Sequence, residues 1–420
     1  MVKITKVECC RLCASTHWRL ILPLHPTPVG DYYLPRDQHP EKLESYPLDL
    51  YQCAECGHVQ LRAIVDPEYL YREYIYTTTS SLGLADHFKN YAKTVRDKLS
   101  LPAGSLIVEI GSNDGTMLRA FQELGFRVLG VDPAREIAAR ATASGIPTLN
   151  DFFTQDLAGK ILADHGSAAL IIANNVIANV PDPSEFVKGV RTLIGHRGVF
   201  VFETGYLRYL AEDVVFDNIY HEHIDYHSVT PLARFFKGLG MCLFDVDINE
   251  SKGSSIRVHV QSAGGPWPVA HSVAEAIGHE SAAGYATAEP YQKLSASLEM
   301  TKKRLHQLLH DGRAAGKKIA GYGASVGVTT VLYHLEIGGL IDYLIDDNPV
   351  RQGLYSPGLA LPIRGPEVLL SPEKPEIVLI LAWRYAAPIM SKNKSYTDRG
   401  GCFLKFLPKI EMIGSSHSPV

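Results

Sequence analysis

The sequence contains no apolar run long enough to cross a bilayer and no excess of basic residues. Lysine and arginine total 41 while aspartate and glutamate total 45, which leaves a formal net charge of −4. A broad positive field that would hold a nucleic acid backbone is therefore missing. The opening residues, MVKITKVECC, also lack the continuous apolar core of a secretory signal. We expect a cytoplasmic protein that binds neither membranes nor nucleic acids and acts as a monomer.

Cysteine is scarce outside one region of the chain. Of seven cysteines, five lie among the first 56 residues and only Cys242 and Cys402 fall elsewhere. In a reducing compartment this clustering favours a metal over disulfides. A pair of CxxC turns directs four thiolates at one ion and completes a tetrahedral shell, so we predict a structural zinc site closed to substrate. Its ligands are Cys10, Cys13, Cys53 and Cys56. Four reduced, buried cysteines are the alternative.

Composition and periodicity divide the chain into three segments. Residues 1–75 are rich in Cys, Pro, Tyr and His and show little helical periodicity, which predicts a small domain held by the zinc. Residues 76–270 alternate short apolar runs with amphipathic helices, and residues 271–420 repeat that plan on a smaller scale. We therefore predict two α/β domains with mostly parallel sheets and with ligands at the carboxyl ends of the strands.

A glycine-rich turn follows the first buried strand of the central segment. Glu109 lies near the end of that strand, and Gly111 and Gly115 form a G-x-x-x-G turn. This pattern favours S-adenosylmethionine, because glycines let the chain pass close beneath the ligand. The GxGxxG spacing of a dinucleotide site is missing. Asp132 ends the second strand, where a carboxylate accepts the ribose hydroxyls. A generic β–α turn with a capping aspartate is the alternative.

The ends of the next two strands complete this predicted site. Asp151 and Phe152 follow the third strand, where an acid and aromatic rings bracket an adenine. Asn174 and Asn175 end the fourth strand and face the sulfonium. The predicted cofactor-binding residues are Glu109, Gly111, Asn113, Gly115, Asp132, Asp151, Phe152, Asn174 and Asn175.

Two further turns are candidates for binding a nucleotide. In the first, Lys252 and Arg257 flank small residues that include Ser254, which suits the phosphates of a sugar nucleotide or a solvated surface turn. In the second, GYGASVG, Tyr322 follows a strand and precedes a helix, whose N-terminus favours phosphate. Its spacing departs by one residue from GxGxxG, so a structural turn and an NAD site both stay open. The predicted substrate-binding residues are Lys252, Ser254, Arg257 and Tyr322.

The segment NIYHEHIDYHS, residues 218–228, concentrates three histidines, two tyrosines and two acids. The HExxH pattern of a metalloprotease fails here, so a catalytic metal is disfavoured. A polar loop whose histidines bond to backbone is the plain alternative. The remaining hypothesis is proton abstraction, because methyl transfer to carbon needs a base that creates a carbanion equivalent. A neighbouring tyrosine and glutamate can hold the imidazole and donate to the enolate oxygen.

These motifs together resemble the sugar C-methyltransferases of deoxysugar pathways. The resemblance runs nearly end to end and includes CRxC…CxxCG, VEIGSNDGT, NNV, DNIYHEH, the GSSIRV region and GYGA…DDNPVRQGLYSPG. It implies a central Rossmann-like methyltransferase domain that uses S-adenosylmethionine. It also implies a smaller Rossmann-like C-terminal domain that binds no NAD and helps to hold a nucleotide-linked 4-keto-6-deoxyhexose, which is methylated at C-3. The implied catalytic residues are His223 as base, Tyr220 and Glu222 beside it, and Tyr76 from the N-terminal segment.

The chain departs from the family pattern at two places on the expected substrate side. Gly253-Ser254-Ser255 stands where the family usually has Gly-Gly-Ser, and Gly327-Val328 stands where a Lys-Gly pair is frequent. Both departures bear on which nucleotide and sugar are bound. The other hypotheses are methylation at C-5, a different small-molecule acceptor and, more remotely, an NAD-dependent oxidoreductase.

Overall fold

The computed structural model describes residues 3–72, 74, 77–78, 83–249 and 255–414. Three of the predicted site residues, Tyr76, Lys252 and Ser254, lie outside the described residues. The chain separates into two compact units. The first comprises Met1–Arg19, Gln52–Arg208 and Glu222–Thr287, and the second comprises Leu20–Tyr51, Tyr209–His221 and Ala288–Val420.

The elements up to residue 287 combine a small cysteine-bearing region with an α/β layer. The strands are β1 (Ile4–Lys6), β2 (Trp18–Leu22), β3 (Leu50–Cys53), β4 (Val59–Leu61), β5 (Ala63–Val65), β6 (Leu106–Ile110), β7 (Arg127–Val131), β8 (Thr148–Leu149), β9 (Leu170–Ile172), β10 (Val199–Gly205), β11 (Asp225–Tyr226), β12 (Met241–Asn249) and β13 (Ser255–Ser262). The helices are α1 (Pro67–Tyr71), α2 (Leu84–Leu99), α3 (Thr116–Glu123), α4 (Arg135–Ala143), α5 (Gln155–His165), α6 (Pro183–Ile194), α7 (Leu207–Glu212), α8 (Val229–Gly238) and α9 (His271–Ala282).

The main sheet of the first unit has the order β12-β13-β10-β9-β6-β7-β8. Strands β8, β7, β6, β9 and β10 are parallel, while β13 and β12 add an antiparallel edge. The central strands β6 and β9 are short apolar runs buried at every residue, as a sheet covered on both faces requires. The order reverses between β6 and β9, so a ligand crevice is expected at the carboxyl ends of these two neighbours.

Helix α2 shows how sequence periodicity builds this unit. Its buried residues Phe88, Tyr91, Ala92, Val95 and Leu99 recur at helical spacing and pack into the core with β6 and α3. The helix ends where Ser100 adopts a left-handed conformation and its backbone N–H bonds to the last turn. One face of α2 is therefore fixed against the sheet that carries the predicted cofactor turn.

The cysteine-bearing region forms small antiparallel ladders. Strand β1 pairs with β5, and β4 pairs with β11, within a sheet of order β11-β4-β3-β2. Strand β11 belongs to the histidine-rich segment, since it comprises Asp225 and Tyr226. The zinc-binding region and part of that segment are therefore joined by backbone hydrogen bonds inside the first unit.

The second unit contains a smaller α/β layer. Its later elements are α10 (Glu289–Ala314), β14 (Ile319–Tyr322), α11 (Val326–His334), β15 (Tyr343–Ile345), β16 (Ile363–Arg364), β17 (Ile377–Ile380), α12 (Ala386–Lys392), α13 (Lys394–Asp398), β18 (Cys402–Lys405) and β19 (Glu411–Ile413). The sheet order is β16-β15-β14-β17-β18-β19, parallel except at β19. The predicted class, two α/β layers with an N-terminal cysteine-bearing region, is confirmed. None of the described helices has the length and apolar composition needed to cross a membrane.

Candidate functional site

The four predicted cysteine ligands converge on one point. The sulfur atoms of Cys10, Cys13, Cys53 and Cys56 all lie within 4.8 Å of one another. The Cys10–Cys56 and Cys13–Cys53 sulfur pairs are 3.7 and 3.5 Å apart. A zinc–sulfur bond of about 2.3 Å places tetrahedral sulfurs about 3.8 Å apart, so these residues fit a closed structural zinc site.

The glycine-rich turn after β6 is shaped by its own packing. Gly111, Asn113 and Gly115 all have positive φ angles, of 69°, 48° and 76°. A Cβ on Gly111 would collide with the Val176 side chain, and one on Gly115 would lie 2.9 Å from Ile146. The glycines are thus required by neighbouring side chains of the protein itself, a reason that spacing alone did not supply.

Glu109 supplies a buried polar atom without a partner in the described part of the predicted cofactor site. It is 4% exposed, and its Oε2 has no hydrogen-bond partner within the described residues. Burial raises the pKa of Glu109 well above its ordinary value, and the nearby carboxylates of Asp132 and Asp114 add to that rise. On the neighbouring strand, Asn174 Nδ2 is likewise buried without a partner in the described chain.

These two polar atoms belong to the ends of β6 and β9, where the strand order reverses. Asn174 Oδ1 is already engaged, because it accepts from the backbone N–H of Glu203 at 3.0 Å and from the hydroxyl of Tyr91 at 3.3 Å. A buried carboxyl oxygen and a buried amide N–H left open at this edge fit a polar ligand that both donates and accepts hydrogen bonds, such as the methyl donor.

Asp132 also keeps a position suited to a ribose. It is 6% exposed, and its two oxygens accept from the backbone N–H groups of Asn113 at 2.8 Å and Ala134 at 2.9 Å. Each carboxylate oxygen can accept a second hydrogen bond. The Asn113 side chain accepts from the Thr78 backbone N–H at 2.8 Å, so it ties Thr78 to the glycine-rich turn.

The predicted adenine contacts lie at the end of β8. Phe152 is half-buried, and the Arg72 guanidinium lies over its ring at 4.7 Å from the centroid. Asp151 is exposed and accepts from the Phe152 backbone N–H at 2.8 Å. Asn175 has a positive φ of 56°, and its backbone N–H donates to the Glu203 carbonyl at 2.7 Å.

The histidine-rich segment is divided by the boundary of the two units, which falls between His221 and Glu222. In the first unit, Glu222 is 9% exposed and its Oε2 accepts from the Tyr74 hydroxyl at 3.4 Å. Its carbonyl accepts from the Tyr71 hydroxyl, also at 3.4 Å. His223 is half-buried beside this carboxylate in the chain. Tyr71 and Tyr74 therefore contact the histidine-rich segment at Glu222.

The other two histidines of the segment, His221 and His227, are buried. His221 Nε2 lies 3.3 Å from the Tyr46 carbonyl, and burial lowers the pKa of His221 to about 4. His227 Nδ1 lies 3.1 Å from the Thr204 hydroxyl, and burial lowers the pKa of His227 to about 3. Both rings are neutral near pH 7, and each has a partner in its own unit.

The residues before His221 are held within the second unit. Arg384 donates to Asp217 at 3.1 Å and to the Asn218 side chain at 3.3 Å. The Thr330 hydroxyl donates to the Ile219 carbonyl. These contacts fix the backbone on the N-terminal side of Tyr220, which is half-buried.

The GYGASVG turn of the second unit is filled by the chain itself. A Cβ on Gly327 would collide with the Asp217 carbonyl, which therefore lies against the first turn of α11. Asp346, at the end of β15, accepts from the Ala324 backbone N–H at 2.7 Å. Tyr322 donates to Asp347 at 3.1 Å. The pyrophosphate position of a dinucleotide thus faces a carbonyl oxygen, which disfavours NAD there.

Arg257 lies in a buried ion pair. Its Nη2 and Nε donate to Glu203 Oε1 at 2.6 and 2.9 Å, and its guanidinium lies 3.7 Å over the Tyr91 ring. The residue is 7% exposed. Its guanidinium is therefore committed to Glu203, a partner that the sequence analysis did not single out.

Comparison with known proteins agrees with this layout. Family models match residues 10–71 as a zinc binding domain, residues 84–243 as a methyltransferase domain and residues 250–408 as a C-methyltransferase C-terminal domain. C-methyltransferase NovU of Streptomyces niveus is 30% identical over 413 residues, which cover 98% of each chain. Ubiquinone biosynthesis O-methyltransferase of Cupriavidus pinatubonensis is 24% identical over 156 residues, 34% of this chain and 63% of that protein.

The chain also has similarity to solved methyltransferase structures. Magnesium protoporphyrin IX methyltransferase from Synechocystis PCC 6803 aligns with 47% of this chain and 88% of its own, at 12% identity and a TM-score of 0.32. The full-length relative decides the family: the chain belongs to the C-methyltransferases that carry an N-terminal zinc-binding domain. The predicted class, an S-adenosylmethionine-dependent C-methyltransferase with a structural zinc, is confirmed.

Proposed function

We propose that the protein methylates C-3 of a nucleotide-linked 4-keto-6-deoxyhexose, with His223 as the base. The observation that carries the proposal is the setting of His223, a half-buried imidazole that follows a buried carboxylate held by two tyrosines. The full-length similarity to a C-methyltransferase supports the attack by carbon. A carbon beside a ketone suits this site, because its proton is acidic enough for an imidazole to remove.

The residues of the segment divide the chemistry between them. His223 takes the proton α to the ketone, and the electron pair moves into the enolate. Glu222 holds the imidazolium that forms, while Tyr220 donates to the enolate oxygen. S-adenosylmethionine, when bound, supplies an electrophilic methyl group. Glu109, Asp132 and Asn174 orient the donor at the ends of β6, β7 and β9.

The residues that the sequence assigns to substrate binding are Lys252, Ser254, Arg257 and Tyr322. Lys252 and Ser254 fall outside the described residues. Arg257 bonds Glu203 through Nε and Nη2, which leaves its other N–H groups for a phosphate. The Tyr322 hydroxyl donates to Asp347 and can still accept a hydrogen bond.

The test uses His223→Gln and His223→Ala in the full chain. His17→Gln is the matched control, because the His17 side chain is exposed and pairs with Glu55. With a dTDP-linked 4-keto-6-deoxyhexose, both His223 variants should lose about 10²–10⁴-fold in kcat. Exchange of the C-3 proton in heavy water should fall by the same factor. S-adenosylhomocysteine should bind all three variants as it binds the wild type. Near-normal turnover of both His223 variants would remove the base assignment.

The position of exchange also separates the acceptor hypotheses. Exchange at C-5 in place of C-3 identifies methylation on the other side of the ketone. Exchange at neither carbon, with dTDP- and GDP-linked substrates alike, points to a different acceptor. The nucleotide whose ketosugar gives turnover at the lowest concentration identifies the substrate.

A further inference from the structure

Asp225 lies two residues after His223 and is held by two side chains from the zinc-binding region. Arg11 donates to Asp225 Oδ1 through Nη2 at 2.9 Å and through Nε at 3.2 Å. His58 Nε2 lies 2.6 Å from the same oxygen. The side chains of Arg11, His58 and Asp225 are 5%, 0% and 0% exposed, so these contacts are shielded from solvent. All three residues belong to the first unit.

Both donors are attached directly to the cysteine turns. Arg11 sits inside the first CxxC turn, which is closed by the bond from the Ala14 N–H to the Cys10 carbonyl at 2.8 Å. His58 follows the second turn, and its carbonyl accepts from the Cys53 N–H at 2.8 Å. The positions of these two side chains are therefore set by the same geometry that places the four sulfurs.

The contacts reach the backbone beside His223. Arg11 Nη2 also donates to the Ile224 carbonyl, which accepts in addition from the Leu61 N–H at 2.9 Å. Asp225 pairs with Gln60 in the β4–β11 ladder. The Arg11 N–H donates to the Gln60 side chain at 3.0 Å. Side-chain and backbone bonds thus run from both cysteine turns to residues 224 and 225.

Electrostatics keep these bonds charge-assisted. Burial alone would raise the pKa of Asp225, but the Arg11 charge and His58 hold it well below its ordinary value. Charge-assisted bonds are shorter and stronger than neutral ones, and a bound guanidinium fork restricts orientation as well as distance. An ionised, fully enclosed carboxylate has little freedom to shift.

We propose that the zinc site positions the catalytic segment, with Arg11, His58 and Asp225 as positioning residues that fix the backbone on which His223 sits. This inference rests on the proposed role of His223. The zinc holds the two turns, the turns hold the two donors, and the donors hold Asp225. We call Arg11, His58 and Asp225 the clamp. A base displaced by about 1 Å lowers the reaction rate about 100-fold, so loss of the clamp should lower kcat more than it weakens substrate binding.

The test compares Asp225→Asn, Arg11→Gln and Arg11→Lys with the control Arg62→Gln. Arg62 is an arginine of the same region that donates to the Val7 carbonyl at 3.0 Å and pairs with Glu8. Zinc content per chain is measured first, then amide hydrogen exchange of residues 222–228, then kcat and KM for the ketosugar and binding of S-adenosylhomocysteine.

The expected result is one zinc per chain in every variant. Exchange in residues 222–228 rises at least about tenfold in Asp225→Asn and Arg11→Gln, and kcat falls by about 10- to 100-fold with little change in KM. Arg11→Lys keeps the positive charge but lacks the forked guanidinium. Its exchange in residues 222–228 and its kcat should lie between those of Arg11→Gln and the wild type. Arg62→Gln behaves as the wild type in all readouts. Removing zinc from the wild type raises exchange in 222–228, and in Asp225→Asn the same removal adds little.

Three outcomes would overturn the inference. The first is wild-type exchange and kcat in the zinc-loaded Asp225→Asn and Arg11→Gln variants. The second is loss of zinc from those variants, because Arg11 would then serve the metal site itself. The third is equal loss in Arg62→Gln. If exchange and kcat respond as expected while His223→Gln keeps full turnover, the clamp stands and the base is another residue of the segment.

Discussion

Glu203 Oε1 accepts from both Nη2 and Nε of Arg257, at 2.6 and 2.9 Å, inside the first unit. Their side chains are only 1% and 9% exposed. The pair lies on neighbouring strands, because Glu203 and Arg257 are directly opposite in the β10–β13 ladder. An arginine that binds substrate is usually exposed to solvent. Arg257 is instead buried in an ion pair that links the neighbouring strands β10 and β13.

Breaking this pair should destabilise the protein. Arg257→Met leaves Glu203 buried without its cation, so the free energy of unfolding should fall by about 3 kcal/mol. The double variant Arg257→Met with Glu203→Gln should recover part of that loss. Urea denaturation measures both, with the exposed Arg140→Met as control. A stability loss under about 0.5 kcal/mol, together with a large rise in KM for the proposed nucleotide sugar, would favour a substrate-binding role for Arg257.

The raised pKa of Glu109 predicts that the free energy of unfolding decreases as pH rises. Its pKa is raised above the ordinary value of 4.5, so the folded protein keeps the proton where the unfolded chain has lost it. Stability from this group is complete below 4.5 and is lost as pH rises above it. The free energy of unfolding of Glu109→Gln should therefore rise relative to that of the wild type by at most about 1.4 kcal/mol per pH unit above 4.5.

Urea denaturation of the ligand-free protein across that range checks the Glu109 prediction. Glu123→Gln changes an exposed carboxyl near the same sheet and should keep a constant difference from the wild type. A constant difference for Glu109→Gln as well would show that Glu109 is ionised in the folded state. If Glu109 holds the methyl donor, Glu109→Gln also weakens S-adenosylmethionine binding, measured by calorimetry.

His221 predicts a loss of stability in acid. Burial lowers its pKa to about 4 from 6.5, so the unfolded chain binds a proton that the folded chain refuses. This contribution is complete above 6.5 and is lost as pH falls towards about 4. His221→Gln removes this contribution. The difference in free energy of unfolding between the wild type and His221→Gln should therefore shrink by about 3 kcal/mol as pH falls across that window. The exposed His17→Gln should show no such change, and neither variant should shift the pH profile of kcat.

Glu280 forms a buried cap at the N-terminus of α8. Its Oε1 accepts from the Val229 N–H at 2.6 Å and the Tyr206 hydroxyl at 2.9 Å, and its Oε2 accepts from the Thr230 N–H at 2.8 Å. Glu280→Gln turns one acceptor into a donor facing these donors and should cost about 3 kcal/mol of unfolding free energy. Glu275→Gln, on the same helix but exposed, should cost nearly nothing. Equal effects of the two changes would contradict the cap.

Several site features were predictable from local sequence. The two CxxC turns bring their thiolates together because a tight turn fixes the distance between residues three apart. The strand ends at Glu109, Asp132 and Asn174 follow from alternating apolar runs, because parallel strands end at one edge. The histidine-rich segment was visible as a composition, and its failed metalloprotease spacing already argued against a catalytic metal there.

The sequence by itself determined which segments become strands, which cysteines share a metal and where polar residues end the strands, since all three are set by spacing along the chain. Only the tertiary structure decided which residue each polar group meets. Arg11 and Asp225 are 214 positions apart, and no local pattern relates them. Arg257, Glu222 and Glu280 likewise have partners that are far away in the sequence, so local patterns do not predict them. The physical reason is that a buried charge must be paired, but the topology of the sheet selects its partner.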